Sequence, residues 1–192
     1  KASFGSEVKY DGKSTINVLY AGNIGEGQGL ETIIPELAMK LKNRVMFRVI
    51  GDGGSRKILE KSIERLSLNN VELLSPVDRD ILIEEYIKAD VLFLHLNDYP
   101  AFEKVIPSKL FEYAAMCKPI WGGLNGYSAS FVNSEIVGCE IFLPGNITDA
   151  IKKFDALAFN VEPRVKFIRK FSRENIMNEM ALDVLKFGKD NV

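Results

Sequence analysis

Short apolar runs alternate along this chain with longer segments whose apolar side chains recur three and four residues apart. The runs predict strands at 16–21, 45–50, 71–74, 90–96, 119–121 and 139–143. The helical spacing predicts a helix that begins at Pro107, and further helices at 30–42, 55–66, 78–88, 128–134, 147–158, 161–171 and 172–188. Strands that alternate with helices indicate the α/β class, here a Rossmann-like, doubly wound parallel sheet of about six strands.

The sequence divides into a main domain and two terminal segments. Residues 1–14 are polar and lack periodicity, which predicts a linker or lead-in segment. Residues 15–171 hold the alternating pattern and form the predicted Rossmann-like domain. In the last helix, within 172–192, four apolar residues form a stripe on one face: Ile176, Met180, Val184 and Phe187. Because residue 1 is not Met, we expect the chain to be a fragment of a longer protein.

Charge and residue usage argue against several classes of function. The 25 basic and 26 acidic residues give a net charge of −1, whereas nucleic-acid binding favours a basic excess, so no nucleic-acid partner is expected. Cys117 and Cys139 lack C-x-x-C spacing and His95 is the only histidine, so we expect a reduced, cytoplasmic setting with no metal site and no cofactor. His95 closes a predicted strand, where we expect hydrogen bonds to satisfy its ring. No run approaches the eighteen apolar residues of a membrane span.

The turn from Pro107 to Glu112 carries the clearest chemical pattern. Pro107 suits the first helical position, which places Ser108 and Lys109 in the first turn. Free amides, a hydroxyl and an ammonium would converge there and form an anion site. Glu112 projects from the same helix face, where its carboxylate could accept hydrogen bonds from vicinal ribose hydroxyls. The alternative is an ordinary exposed pair of Lys109 and Glu112, worth a few tenths of a kcal/mol.

A glycine-rich segment at 22–29 follows the first predicted strand. The dinucleotide pattern G-x-G-x-x-G fails, because Leu30 stands where the third glycine belongs. The P-loop pattern fails as well, because Gln28 stands where the lysine belongs. Two interpretations remain: a flexible loop whose amides approach a ligand closely, or a plain tight turn.

Arg56 would lie in the first turn of the helix that follows the second strand. A cation there opposes the helix dipole, so it is either incidental surface charge or meets a ligand anion. Three candidate segments, 22–29, 51–56 and 97–112, all follow predicted strands. Since the carboxyl ends of parallel strands share one edge of the sheet, we expect these segments to lie together.

Several motifs in this order resemble a known family. They are Tyr20-Ala21-Gly22-Asn23-Ile24-Gly25, Gln28-Gly29-Leu30-Glu31, Ile50-Gly51-Asp52-Gly53, Ala89-Asp90-Val91, the segment from Phe102 to Tyr113, and Lys118-Pro119. This succession resembles the C-terminal half of retaining GT-B glycosyltransferases of glycosyltransferase family 4. Within that family it is most similar to the branch that builds bacterial surface polysaccharides, the fucosamine and N-acetylhexosamine transferases.

The resemblance implies a lobe that binds a nucleotide-diphosphate sugar, in first place a UDP-sugar. Glu112 would hold the ribose hydroxyls, and the turn of Ser108, Lys109 and Leu110 would lie by the diphosphate. Gly22, Asn23 and Gly25 would face the donor across an interdomain cleft. The acceptor, a saccharide or lipid-linked saccharide, would bind an N-terminal lobe outside this chain. The helix at 172–192 would pack on that lobe, which could also bring the enzyme to the inner face of the membrane.

The sequence departs from the family pattern at two places. Asn23 and Gln28 stand where much of the family has Arg and Lys, so Lys109 and Arg56 become the expected suppliers of positive charge. The family also has two glutamates with seven residues between them, and counting back from Glu112 gives Lys104. Glu103, one residue out of register, is therefore the candidate catalytic residue. The alternative function is a non-catalytic nucleotide-binding α/β module.

Overall fold

We analysed a computed structural model that describes residues 15–159 and 163–190, apart from the side chains of Val184 and of residues 187–190. Within these residues, six parallel strands form one sheet in the order β3-β2-β1-β4-β5-β6. The strands are β1 Ile16–Asn23, β2 Val45–Asp52, β3 Val71–Leu74, β4 Val91–His95, β5 Ile120–Gly123 and β6 Cys139–Phe142. The predicted fold class and number of strands are therefore confirmed. The predicted linker at 1–14 lies outside the described residues.

Helices connect the strands and follow the last one. They are α1 Leu30–Leu41, α2 Arg56–Arg65, α3 Arg79–Lys88, α4 Lys109–Ala115, α5 Gly126–Glu135, α6 Ile147–Ala156, α7 Val165–Lys170 and α8 Arg173–Asp190. Short 3-10 turns lie at Glu26–Gln28, Lys42–Arg44 and Pro100–Lys104. Among the helices of the described segments, none is both long and apolar enough to cross a membrane.

The helix predicted to begin at Pro107 starts two residues later, so this boundary was wrong. Ser108 is the N-cap and Lys109 the first helical residue. The Leu110 amide donates to the Pro107 carbonyl at 3.0 Å, so a tight turn precedes the helix. The helix is only seven residues long, and Cys117 just after it has a φ of 53°, which an α-helix does not accommodate.

Apolar clusters on both faces of the sheet hold the domain together. Val18 and Phe47 belong to one cluster, and Leu19 and Leu92 belong to the other. Neighbouring residues of β1 fall in different clusters because successive side chains of a strand point to opposite faces. All five residues of β4 are buried, in agreement with the apolar run Val91–Leu94 that precedes His95. Each fully buried large side chain contributes roughly 1.5–3 kcal/mol to this packing.

Helix α8 leaves much of its apolar surface exposed. Ile176 is 39% exposed and Met180 is 59% exposed. Met177, Leu182 and Leu185 are exposed as well. The predicted stripe also includes Val184 and Phe187, whose side chains lie outside the described part of the chain.

Candidate functional site

The candidate site lies where the winding of the sheet reverses. β1 has β2 on one side and β4 on the other, and the chain continues from them toward opposite edges. The reversal lies between β1 and β4. A crevice forms at the carboxyl ends of two such strands, and ligands of open α/β sheets bind there. Two cavities open at this edge, one of about 330 Å³ on the β2 side and one of about 360 Å³ on the β4 side. Gly22, Asn23 and Lys109 line both.

The β2-side cavity has mainly apolar walls. Pro76, Val77 and Leu82 form one part of its lining, and the ends of β1 and β2, including Gly51, form another. A wall of apolar side chains and bare backbone suits a flat ring better than a highly hydroxylated group, because few of its side chains can form hydrogen bonds. No sequence pattern singled out these three residues. Pro76 and Val77 lie in the segment between β3 and α3, and Leu82 lies in α3.

The β4-side cavity is lined by more polar groups. Asn23 and Gln28 from the glycine-rich segment meet His95 from β4 and Ser108 from the start of α4. Phe102 and Val105 contribute apolar surface from the segment between β4 and α4. The Ser108 hydroxyl makes no capping hydrogen bond to its own helix, so it is available to a ligand. Polar groups from three separate segments thus converge on one space.

Lys109 lies between the two cavities, with its side chain only 21% exposed. Its Nζ is 3.9 Å from Oε2 of Glu112 and 5.5 Å from the centre of the Tyr113 ring. Burial lowers the pKa of Lys109 from its usual 10.5, and the charge of Glu112 acts in the opposite direction. Because an ion pair of this length compensates a buried ammonium poorly, the position favours a bound anion.

Gly22 allows the lysine side chain to occupy this position. A β-carbon at Gly22 would lie 2.5 Å from Cε and 3.0 Å from Nζ of Lys109. The φ of Gly22 is 154°, which disfavours a residue with a side chain. Glycine at this strand end therefore serves close approach rather than a simple tight turn.

Glu112 has its side chain 41% exposed on the same helix as Lys109. Beside it, the hydroxyl oxygen of Tyr86 is buried and has no hydrogen-bond partner among the described residues. Burial, and after it the negative charge of Glu112, raises the pKa of Tyr86. Tyr113 is also buried, and its hydroxyl oxygen accepts a hydrogen bond from the Ala21 amide at 3.1 Å. Tyr113, which is part of α4, thus joins that helix to β1, while the Glu112 carboxylate keeps access to solvent.

Arg56 has a role that the sequence did not indicate. Its Nη1 donates to the carbonyl oxygen of Gly51 at 2.5 Å and to that of Leu74 at 2.8 Å. The guanidinium therefore joins the ends of β2 and β3. Its first-turn position is explained by these carbonyls, which offset the unfavourable helix dipole, so it is not incidental surface charge.

Leu110 and Glu103, two further predicted site residues, do not line either cavity. Leu110 has a fully buried side chain in the core, and its amide donates a hydrogen bond to the Pro107 carbonyl oxygen. Leu110 therefore anchors α4 and offers no side chain to the cavities. Glu103 is exposed in the 3-10 turn at Pro100–Lys104, outside the residues that line the two cavities. Its backbone packs against Gly126, where a β-carbon would lie 2.4 Å from the Glu103 carbonyl oxygen.

The polar side chains of Asn23 and Gln28, within the glycine-rich segment, bond to each other. Nδ2 of Asn23 donates to Oε1 of Gln28 at 3.0 Å, and the Gly25 amide donates to the same oxygen at 3.1 Å. Gly25 is thus the N-cap of the 3-10 turn and belongs to the loop scaffold.

The expectation for His95 is confirmed: its ring is fully buried and both nitrogens have backbone partners, Gln28 and Gly145.

A doubly wound parallel sheet with a polar crevice at its switch point defines the class of Rossmann-like ligand-binding domains. Residues 7–174 match the family model described as "Glycosyl transferases group 1". The chain therefore belongs to the group 1 glycosyl transferase family. Its fold matches the Rossmann-like lobes of the GT-B type.

A curated relative is WcaI of Escherichia coli (strain K12), named for a glycosyl transferase of colanic acid biosynthesis. It is 34% identical over 100 residues, which are 52% of this chain and 24% of WcaI. The fold is similar to that of a point mutant of S. aureus TarM in complex with Fondaparinux, alpha-GlcNAc-glycerol and UDP. The TM-score is 0.71 at 19% identity, over 88% of this chain and 35% of that one.

The fold is also similar to Anabaena Alr3699/HepE in complex with UDP and glucose. There the TM-score is 0.69 at 19% identity, over 89% of this chain and 48% of that one. The matched part of the chain thus covers about a quarter of the length of WcaI, and the matches to these two solved chains cover less than half of each.

Proposed function

We propose that this chain is the donor-binding lobe of a retaining glycosyltransferase that uses a nucleotide-diphosphate sugar. A UDP-sugar is the favoured donor. The observation that carries the proposal is the partly buried ammonium of Lys109 between two cavities at the switch point of the sheet. UDP in the solved structures of TarM and HepE supports this choice of nucleotide. The family assignment supports glycosyl transfer rather than simple nucleotide binding.

The two cavities suggest how such a donor would lie. The diphosphate would bind at Lys109 and the Ser108 hydroxyl, where both cavities meet. The base would enter the β2-side cavity against Pro76 and Val77, which provide apolar contact for a flat ring. The sugar would then occupy the β4-side cavity, and Glu112 would accept hydrogen bonds from the ribose hydroxyls.

Charge stabilisation is the main chemical contribution that this lobe could make. As the bond between sugar and diphosphate breaks, negative charge grows on the leaving diphosphate. A pre-positioned ammonium in a partly buried site stabilises that charge more strongly than water does. Removing one such group typically costs about 100- to 1000-fold in rate. Glu103 would contribute near the sugar only if the 3-10 turn moved toward the cavity when donor binds.

The rest of the enzyme would supply the acceptor site. Because this chain spans only part of its relatives, we propose a second lobe that faces the same sheet edge and closes over the donor. The exposed apolar side chains of α8, such as Met180, would pack on that lobe. The acceptor would be a saccharide or lipid-linked saccharide, and any association with the inner face of the membrane would involve that lobe.

Isothermal titration calorimetry with UDP tests the proposal directly. We expect one UDP to bind this chain, and GDP or NAD to bind at least tenfold more weakly. Lys109→Ala should abolish measurable binding, whereas the matched control Lys40→Ala, at an exposed position on α1, should bind as the wild type does. Tight binding of NAD, or no binding of any nucleoside diphosphate, would contradict the proposal.

A further inference from the structure

The His95 ring lies in a fixed plane beneath the candidate site. It is fully buried beside two aromatic rings, with its centroid 6.4 Å from that of Phe93 at a 3° interplanar angle and 6.0 Å from that of Phe142 at a 26° angle. On another side it meets Gly123, where a β-carbon would come within 2.2 Å of Cδ2 of His95. Because packing leaves the ring no other orientation, its two nitrogens point in defined directions.

The hydrogen bonds of this ring determine its tautomer. The Gly145 amide can only donate, and it lies 3.0 Å from Nε2, so Nε2 is the unprotonated acceptor. The proton therefore resides on Nδ1, which donates to the Gln28 carbonyl oxygen at 2.7 Å. The imidazole is neutral, and burial lowers the pKa of His95, which maintains that state. One ring thus joins the turn after β6 to the glycine-rich segment.

Gln28 carries this connection into the site. Its backbone carbonyl is held by His95, and its side-chain oxygen accepts from Gly25 and Asn23. Asn23 follows Gly22, and both line the two cavities beside Lys109. A shift of the Gln28 backbone would therefore change the position of Asn23 and the Gly25 amide together.

We propose that His95 is a positioning residue: through its Nδ1 hydrogen bond to Gln28 it sets the conformation of the glycine-rich segment 22–29 that receives the donor diphosphate. The identity of the ligand in this inference rests on the proposed function, whereas the effect of His95 on the conformation of segment 22–29 does not depend on it. The bond to Gly145 has a different task, since it fixes the turn after β6 and the tautomer. The two bonds can therefore be tested separately.

Two substitutions separate the two bonds. In His95→Asn the side-chain amide takes the place of Nδ1 and keeps the bond to Gln28, while the acceptor for Gly145 is lost. In His95→Gln the side-chain oxygen takes the place of Nε2 and keeps the bond to Gly145, while the donor to Gln28 is lost. We expect UDP affinity within about threefold of wild type for His95→Asn, and about tenfold or more weaker for His95→Gln, the loss typical of one hydrogen bond. Uridine affinity should change little in either.

Measurements on the ligand-free protein distinguish this inference from the proposed function. Nitrogen-15 NMR of the wild-type imidazole should show the proton on Nδ1, and amide exchange of Gly25 should become faster in His95→Gln but not in His95→Asn. A proton on Nε2, or equal effects of the two substitutions on Gly25 exchange, would overturn the positioning role. If the NMR results are as expected but wild-type protein does not bind UDP, the proposed function fails while the positioning role stands. If neither variant folds, Gln28→Ala, which removes the side-chain bonds to Gly25 and Asn23, should weaken UDP at least tenfold, and unchanged affinity would overturn the inference.

Discussion

The α-carbon of Gly51 faces the carbonyl oxygen of Gly22 so closely that a β-carbon at Gly51 would lie 1.8 Å from that oxygen. The two glycines are register partners at the ends of β1 and β2, and Gly51 has a φ of 153°. The backbone atom in the way cannot move without disturbing the strand pair. The carboxyl edge that forms the candidate site therefore depends on a residue without a side chain.

Gly51→Ala should destabilise the protein by at least about 2 kcal/mol, through backbone strain combined with a steric clash. Chemical denaturation with a far-UV circular dichroism signal would measure the change. Gly54→Ala is the matched control, because a β-carbon there has no atom within 4 Å. Equal stability of the Gly51→Ala variant and the wild type would contradict the close approach.

Glu112→Gln should weaken UDP binding about tenfold or more with the fold intact. The substitution keeps the shape but weakens two charge-assisted hydrogen bonds to ribose, each worth roughly 1.5–3 kcal/mol. Calorimetry with UDP and with 2′,3′-dideoxy-UDP would measure the effect, and the dideoxy ligand should not distinguish the variant from the wild type. Unchanged UDP affinity would remove Glu112 from the ribose site.

Lys109→Ala and Arg56→Ala should have different consequences. Lys109→Ala should weaken the affinity for UDP much more than that for uridine. It should leave the melting temperature nearly unchanged, because the ion pair of Lys109 with Glu112 is long and partly exposed.

Arg56→Ala should lower the melting temperature, because it leaves the Gly51 and Leu74 carbonyls without this donor. The expectation from the sequence that Arg56 supplies positive charge to the diphosphate predicts, in addition, a selective loss of UDP binding in Arg56→Ala. Equal losses of UDP and uridine affinity in either variant would show that the residue does not touch phosphate.

UDP affinity should fall as the pH is raised through the alkaline range that lies just below 10.5. Burial lowers the pKa of free Lys109 below this value, whereas a bound diphosphate would raise it, so binding weakens as pH rises through the lowered pKa. The same shift means that the free protein gains stability as pH rises toward 10.5, because the unfolded chain keeps that proton longer. Lys109→Arg is the control, because arginine stays charged and deprotonation of uracil affects both proteins alike. Parallel pH profiles of the two proteins would contradict the assignment.

Residues 176–182 of α8 should exchange amide hydrogens rapidly in this chain and slowly in a protein that also carries the proposed second lobe. Ile176 and Met180 are exposed here, and a second lobe would cover them. Hydrogen exchange with mass spectrometry on both forms would measure the difference. Equally slow exchange would mean that α8 is stabilised within this domain, and would remove support for a covering lobe.

The sequence alone determined the architecture. Apolar periodicity is a local property, so all six strands and the helices between them could be predicted within a few residues. The shared edge of parallel strands also placed Gly22 and Asn23 correctly beside Ser108 and Lys109, which line one cavity. The start of α4 was missed by two residues, because Pro107 there belongs to a tight turn before the helix.

The partners of the polar atoms were decided only by the tertiary structure. Arg56 was predicted to be either surface charge or a ligand cation, yet it binds two strand-end carbonyls that meet only when β2 and β3 pair. His95 and Gln28 are 67 positions apart, and no local pattern relates them. A hydrophobic pattern records which face of each element is buried, because that depends on near neighbours in the chain. Which donor faces which acceptor depends on how distant segments meet at one edge of the sheet, and only packing determines that.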